Sequence, residues 1–214
     1  MKTAVVAAIA VAAMAAGAAL YLYRQPSPPA DAPPGPFADA APSQLVAALP
    51  EFQLADRDGQ LRSLQSWPDK ALIVNFWATW CAPCRREIPL LQQLQRDHAD
   101  EGFQVIGVAV DFRDKVLAYA DEMQIEYPLL IGEQEGLDAA ASFGIEAVGF
   151  PFTVFSDRQG RIVTAHLGEL TEAQAGLILD AVRQVDQGTV TPEQARAGLQ
   201  EALRNLPDPP ADEG

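Results

Sequence analysis

The fourteen-residue stretch that decides the fold contains both cysteines of the chain. It reads Val74-Asn75-Phe76-Trp77-Ala78-Thr79-Trp80-Cys81-Ala82-Pro83-Cys84-Arg85-Arg86-Glu87. A run over residues 71–76 that is apolar except at Asn75 predicts a strand buried on both faces. Apolar residues then recur at helical spacing and predict a helix over residues 83–98. Cys81 and Cys84 are therefore expected where a buried strand passes into a helix.

This placement predicts a reactive pair of thiols. Cys81 is expected at the N-terminus of the helix, where unpaired amide N–H groups and the positive end of the helix dipole stabilise a thiolate. Cys84 follows one turn later, within reach of the Cys81 sulfur for a disulfide. Pro83 is tolerated at this early helical position and stiffens the loop. The residues favour a redox-active Cys81–Cys84 disulfide.

Two other uses of the cysteines compete with this interpretation. A structural disulfide across so short a loop contributes only about 2 kcal/mol, against about 4.7 kcal/mol for a 100-residue loop. A zinc or copper site needs two further ligands, and His98 and His166 are the only imidazoles. His98 lies four turns along the same helix, too far to approach the sulfurs. We therefore predict no metal and no other cofactor.

Composition and charge exclude some classes of partner. Of the 214 residues, 49% are apolar, which is ample for a packed core. Fifteen Lys and Arg against 29 Asp and Glu give a net charge of −14. Nucleic-acid binding depends on cations that neutralise phosphates, so this balance argues against it. It also disfavours adhesion to anionic lipid through a basic face.

The N-terminal segment indicates export. The uncharged run from Thr3 to Tyr23 spans about 30 Å as a helix, the thickness of the hydrocarbon layer. Residues 1–24 are therefore predicted as a transmembrane anchor or signal sequence. Its length and the terminal tyrosines favour an anchor, although Ala13-Met14-Ala15 fits a signal-peptide cleavage site. Residues 25–43 contain seven prolines and are predicted as an extended linker.

The remaining residues predict one domain, 44–188, followed by a C-terminal helix and tail, 189–214. Strands alternate with helices, which predicts an α/β fold with a mixed sheet and helices on both faces. The first predicted elements are hairpin strands around Phe52–Leu54 and Leu61–Leu64, strands Ala71–Phe76 and Phe103–Val110, and a helix through Val116 and Ala120. A strand Leu129–Ile131, a short helix Asp138–Phe143 and hairpin strands Phe152–Phe155 and Arg161–Leu167 follow. A helix from Thr171 to Val185 precedes the last helix, from Thr191 to Leu206, which has Leu199 and Leu203 on its apolar face.

Residues 45–187 resemble the TlpA/ResA-type thiol-disulfide oxidoreductases, which are membrane-anchored proteins of the bacterial envelope. The resemblance is carried by residues 74–87 and by Gly149-Phe150-Pro151-Phe152-Thr153 downstream. The strand end at residues 108–111, with the extra helix and strand before Pro151, matches the insertion of this group. The resemblance implies a thioredoxin fold with a mixed central sheet, helices on both faces and the TlpA-type helix-strand insertion.

The resemblance also implies the roles of the catalytic residues. Cys81 is expected to be the exposed attacking cysteine, and Cys84 the resolving one. Pro151 resembles the cis-proline that faces the dithiol in this fold. Asn75 stands where thioredoxin has a buried carboxylate, and Glu87, three residues after Cys84, takes over that role. A partly buried Glu87 would have a raised pKa and accept the proton of Cys84.

The surface around the dithiol is expected to bind the substrate. Trp77 is predicted to lie in the core, and Arg85 and Arg86 are predicted to be solvated. Phe150 is bulkier than the residue often found before this proline, so it would shape the substrate groove. The expected substrate-binding residues are Trp80, Ala82, Pro83, Gly149 and Phe150.

The function implied is reduction of disulfides in exported client proteins, as in cytochrome c maturation or metal-site assembly. A membrane thiol-disulfide carrier would supply the electrons. The domain would lie in the periplasm, tethered to the inner membrane, or be exported and soluble if residues 1–24 are removed. Three alternatives stay open: a disulfide oxidant or isomerase, a copper-delivery module of the same fold, and a peroxidase acting through Cys81.

Overall fold

The structure is a computed structural model that describes residues 45–145 and 149–206. The predicted N-terminal anchor, the whole of the predicted linker and the end of the C-terminal tail lie outside the described residues. Within the described ranges, no helix is long and apolar enough to cross a membrane.

The described residues form seven strands and five α-helices. In chain order these are β1 (Leu54–Ala55), β2 (Leu61–Arg62), a 3-10 turn (Leu64–Ser66), β3 (Ala71–Trp77), α1 (Ala82–His98), β4 (Phe103–Ala109), α2 (Arg113–Glu122), β5 (Leu129–Ile131), α3 (Gln134–Ala141), β6 (Phe152–Ser156), β7 (Ile162–Leu167), α4 (Glu172–Asp186) and α5 (Pro192–Arg204).

The strands form one mixed sheet in the order β2-β1-β5-β4-β3-β6-β7. Strands β3, β4 and β5 are parallel, and the other pairings are antiparallel. All seven residues of β3 are buried, as the largely apolar run predicts. Core residues of α1, α2, α4 and α5 pack on one face of the sheet, and α3 packs on the other. The predicted α/β fold with helices on both faces is confirmed.

Two elements differ from their predicted bounds. Helix α3 begins at Gln134, not at Asp138, because its first turn packs on the end of β4: a Cβ at Gly136 would lie 3.1 Å from Val110 Cγ2. The first hairpin has strands of only two residues each. Its turn is held by the Asp56 carboxylate, which accepts hydrogen bonds from backbone N–H groups within the turn.

The last helix packs on the domain, as its apolar face predicts. Thr191 and Gln194 form a capping box at its start, and Ala195 and Leu199 are buried. Arg196 donates hydrogen bonds to the carbonyl oxygens of Ile162 and Val163, both at 3.1 Å. Strand β7 is the last strand of the sheet, so α5 covers backbone acceptors that an edge strand would otherwise expose.

Candidate active site

The two cysteines form a disulfide at the start of α1. Their Cα atoms are 5.3 Å apart. Cys81 is the N-cap residue of α1, and its sulfur accepts a hydrogen bond from the backbone N–H of Cys84 at 3.3 Å. Pro83 lies in the first turn, where a missing N–H costs nothing. The predicted disulfide at a helix N-terminus is confirmed.

The expectation of an exposed Cys81 is wrong for this oxidised form. Cys81 is 5% exposed and Cys84 is fully buried. The Cys81 sulfur is bonded to Cys84 on one side and lies 3.5 Å from the carbonyl oxygen of Phe150 on the other. The Phe150 ring lies beside Trp80, with ring centroids 6.2 Å apart. Cys81 remains the more accessible cysteine of the pair.

The segment before β6 lies against the disulfide. The Phe150–Pro151 peptide bond is cis, as the resemblance implies. Phe150 is half-buried and stacks on Phe152, whereas Gly149 is exposed. The structure thus brings together Cys81 and the residues around Pro151, which are far apart in the sequence.

Glu87 is the buried carboxyl group of the site. It lies on α1 one turn after Cys84 and is 1% exposed. Asn75 Nδ2 donates to Glu87 Oε1 at 2.7 Å, and the backbone N–H of Leu170 donates to Oε2 at 2.9 Å. Burial raises the pKa of Glu87 to about 7, although both hydrogen bonds stabilise the carboxylate and oppose this rise. Glu87 is buried and its pKa is raised, as expected from the sequence, and its role as a proton acceptor stays a prediction.

Tryptophans and arginines near the disulfide follow their predicted burial. Trp80 is 69% exposed and Trp77 is fully buried. Arg85 and Arg86 are exposed, but Arg86 also forms an ion pair with Glu169, with Nε and Oε2 2.9 Å apart. Sequence reasoning missed this pair because nothing in the sequence places residue 169 beside α1.

A second contact that the sequence did not reveal holds the loop before Cys81. Asp111, buried at the end of β4, accepts hydrogen bonds from the backbone N–H and the hydroxyl of Thr79. Strands β3 and β4 are adjacent and parallel, so they end at the same edge of the sheet. The loops that follow them are therefore neighbours, and this is the signal from which the contact between Asp111 and Thr79 could have been predicted. The contact fixes the position of Trp80, the residue after Thr79.

Both histidines contact groups other than the sulfurs. His98 Nδ1 contacts Glu101 Oε1 at 2.9 Å beyond the C-terminal end of α1. His166 Nε2 lies 3.2 Å from the carbonyl oxygen of Glu169, and burial lowers the pKa of this imidazole. In residues 45–145 and 149–206, no group of three or more His, Cys, Asp or Glu side chains is placed to hold a metal ion.

The fold and the site together define a class of protein. A thioredoxin-like fold that presents a disulfide at a helix N-terminus, opposite a proline and above a buried carboxyl group, is that of a protein thiol-disulfide oxidoreductase. The chain belongs to the AhpC/TSA family, because the sequence profile of that family matches residues 46–166, more than half of the chain.

Individual relatives agree with this class. The thioredoxin-like protein YneN of Bacillus subtilis is 34% identical over 137 residues, which cover 61% of this chain and 76% of that protein. The thiol-disulfide oxidoreductase ResA of Halalkalibacterium halodurans is 27% identical over 148 residues, which cover 69% of this chain and 82% of that protein. A solved structure of a secreted thiol-disulfide isomerase from Corynebacterium glutamicum has a TM-score of 0.57 and 27% identity, and the match covers 64% of this chain and 85% of that one.

Proposed function

We propose that this oxidoreductase reduces disulfides of exported client proteins, with Cys81 as the attacking and Cys84 as the resolving cysteine. The observation that carries this proposal is the disulfide at the N-terminus of α1, with the Cys81 sulfur 3.5 Å from the Phe150 carbonyl oxygen and the buried Glu87 one turn after Cys84. Cys81 is the more accessible cysteine, to which a client can dock. Glu87, on the same helix as Cys84, is a group that can accept a proton.

The first step is attack on the client. In the reduced protein, the Cys81 thiolate attacks one sulfur of the client disulfide, so a bond forms between Cys81 and the client. The other client sulfur leaves as a thiolate. The backbone N–H of Cys84, 3.3 Å from the Cys81 sulfur, and the positive end of the α1 dipole favour the thiolate of Cys81.

The second step returns the protein to the form seen in the structure. Cys84 gives its thiol proton to Glu87, and the Cys84 thiolate attacks the Cys81 sulfur. The bond between Cys81 and the client breaks, and the second client sulfur leaves as a thiolate. The client has gained two electrons and the Cys81–Cys84 pair has lost two. A carboxyl group with a pKa of about 7 is suited to accept this proton near neutral pH.

Client docking involves the surface that surrounds Cys81. A client segment in extended conformation would pair with the backbone at Phe150, whose carbonyl oxygen already lies beside the reacting sulfur. Trp80 supplies a large exposed apolar side chain next to the disulfide. The residues proposed to contact the client are Trp80, Ala82, Pro83, Gly149, Phe150 and Pro151.

Export and re-reduction complete the proposal. The uncharged N-terminal run would tether the domain to the inner membrane, with the domain in the periplasm. A membrane thiol-disulfide carrier would then return electrons to Cys81 and Cys84, and cytochrome c maturation or metal-site assembly would supply the clients. The secreted isomerase among the relatives supports an exported location.

The experiment that tests the direction of electron flow is equilibration of the purified protein with glutathione. A reductant is expected to have a potential well below roughly −180 mV and to reduce a disulfide-containing client in a single turnover. A potential well above that value, with oxidation of a reduced client, would instead identify a disulfide oxidant. Cys81→Ser is the control that abolishes either reaction.

A further inference from the structure

Three buried polar atoms lie in the core beneath the disulfide. These are Asn75 Oδ1, Trp77 Nε1 and Tyr127 Oη, and no other group among the described residues forms a hydrogen bond with any of them. All three residues are at most 1% exposed. A buried polar atom without a partner costs free energy, and ordered water is the usual partner when protein groups supply none.

The three side chains converge on Gly107 of β4. Asn75 is directly opposite Gly107 in the pairing of β3 and β4, and Trp77 follows on the same face of β3. A Cβ at Gly107 would lie 2.6 Å from Leu129 Cδ2, 3.0 Å from Tyr127 Cε2 and 3.1 Å from Trp77 Nε1. The missing side chain therefore lets the tyrosine ring and the indole meet over the backbone of β4, on the face that carries Asn75.

Glu87 belongs to the same group. It accepts a hydrogen bond from Asn75. Burial raises the pKa of the Tyr127 phenol, and the negative charge of Glu87 adds to this rise. The carboxyl group and the phenol are thus close enough to interact electrostatically. We call Asn75, Trp77, Glu87 and Tyr127 the polar cluster.

Tyr127 also lines an open cleft of about 630 Å³ on the outside of the sheet. Arg57, Trp67, Glu126 and Pro128 are among the other lining residues. Arg57 holds this wall in place by donating a hydrogen bond to the carbonyl oxygen of Ile125. Tyr127 is 1% exposed and its hydroxyl is buried, so this residue forms part of the wall between the polar cluster and the cleft.

A route across this wall is required by the proposed role of Glu87. The proton that Glu87 accepts from Cys84 must leave before the next turnover. Both direct partners of the carboxyl oxygens, the Asn75 amide and the Leu170 N–H, are donors and cannot accept that proton. A buried water or a hydroxyl group can both accept and donate.

We propose that the polar cluster binds buried water, through which Glu87 releases its proton to the cleft, with Tyr127 as the positioning residue. The O–H bond of Glu87 breaks as the water gains a proton, the water passes another of its protons on towards Tyr127 and the cleft, and a solvent base takes it. Water and tyrosine are unchanged after each turnover. This inference rests on the proposed role of Glu87 as the proton acceptor of Cys84.

The test compares Tyr127→Phe with Tyr119→Phe. Tyr119 also packs beside Trp77, with ring centroids 5.8 Å apart, but its hydroxyl is not one of the three unpaired atoms. The reaction measured is the resolving step, started from a mixed disulfide between Cys81 and glutathione at pH 6, where most Glu87 is protonated. Tyr127→Phe is expected to slow this step about tenfold, while Tyr119→Phe leaves it unchanged.

Two further readouts separate a proton route from a packing effect. Small buffer bases that enter the cleft are expected to restore the rate of Tyr127→Phe, which they would not do for a misfolded protein. A high-resolution crystal structure of the unaltered protein is expected to show ordered water about 2.7–3.2 Å from Tyr127 Oη or Trp77 Nε1. A dry cluster overturns the proposal, even if Tyr127→Phe does not fold.

Glu87→Gln distinguishes the failure of this inference from the failure of the proposed function. If Glu87→Gln slows the resolving step by about 10²-fold and Tyr127→Phe does not slow it, the water route is wrong and the role of Glu87 stands. If Glu87→Gln leaves the step unchanged, the role of Glu87 itself is wrong, and the water route falls with it.

Discussion

Glu87 makes the stability of the oxidised protein depend on pH. Its pKa is about 7 in the folded protein and 4.5 in the unfolded chain, so the folded state favours the protonated carboxyl group. The stability that this preference supplies is fully present below pH 4.5 and is lost as the pH rises through 7. Between pH 5 and 8 the loss amounts to about 2 to 3 kcal/mol.

Glu87→Gln is therefore expected to remove this loss. Urea denaturation of the oxidised wild type and of Glu87→Gln at pH 5 and pH 8 gives the free energies of unfolding. The wild type should lose stability relative to the variant as the pH rises. His166, whose pKa burial lowers, contributes equally to both proteins and cancels in the comparison. Parallel pH dependences in the two proteins would mean that Glu87 does not titrate in this range.

Trp80 is expected to act on protein clients and not on small disulfides. It is 69% exposed, so Trp80→Ala should change the free energy of unfolding by less than about 0.5 kcal/mol. Loss of an aromatic anchor beside the disulfide should lower kcat/KM for a polypeptide disulfide about tenfold and leave the reaction with glutathione disulfide unchanged. The matched control is Phe112→Ala, which removes an aromatic side chain that is 55% exposed at the end of the neighbouring strand. An equal loss of kcat/KM with the polypeptide disulfide and with glutathione disulfide would mean that Trp80 acts in the thiol-disulfide exchange itself and not in client docking.

Sequence reasoning reached the reacting residues but not the contacts that position them. Cys81 and Cys84 are predicted by their residue type, spacing and place at a helix N-terminus, whereas the roles of Pro151 and Glu87 are implied by the family resemblance. The burial of Cys81 and the position of Tyr127 could not be predicted from the sequence, because both depend on which strands become neighbours. A glycine at 107 gave no local signal that two aromatic side chains meet above it.

Among the elements, α5 is the C-terminal helix, and a substitution in its buried face tests whether it forms part of the folded domain. Leu199 is 5% exposed in the same core cluster as α4, so Leu199→Ala is expected to lower the free energy of unfolding by about 2 to 3 kcal/mol. Leu61→Ala, at a leucine that is 67% exposed, is the control and should cost less than about 0.5 kcal/mol. Urea denaturation measures both. An equally small effect at Leu199 would show that α5 does not pack on the sheet in solution.

Element types were more predictable than element lengths. The apolar run of β3 and the capping boxes of α4 and α5 are local signals, and these elements appear as expected. The start of α3 was misplaced by four residues because the close approach of Gly136 to Val110 is a tertiary contact. The strand order likewise depends on packing that no single segment encodes.

For the whole molecule, we expect the N-terminal segment to determine where the chemistry takes place. We expect the full chain, expressed in a bacterium, to pellet with membranes after carbonate washing, because the uncharged run of residues 3–23 is long enough to span the hydrocarbon layer. A version starting at residue 44 is the control and should stay in the soluble fraction. A soluble product of the full chain that begins after Ala15 would show that the segment is a cleaved signal sequence.

The most direct test of the central claim is the trapping of mixed disulfides in intact cells. Cys84→Ser keeps the attacking Cys81 and removes the resolving sulfur, so it is expected to accumulate client proteins joined to Cys81, which mass spectrometry would identify. Cys81→Ser is expected to trap none. Capture by Cys81→Ser and none by Cys84→Ser would reverse the two roles and contradict the mechanism.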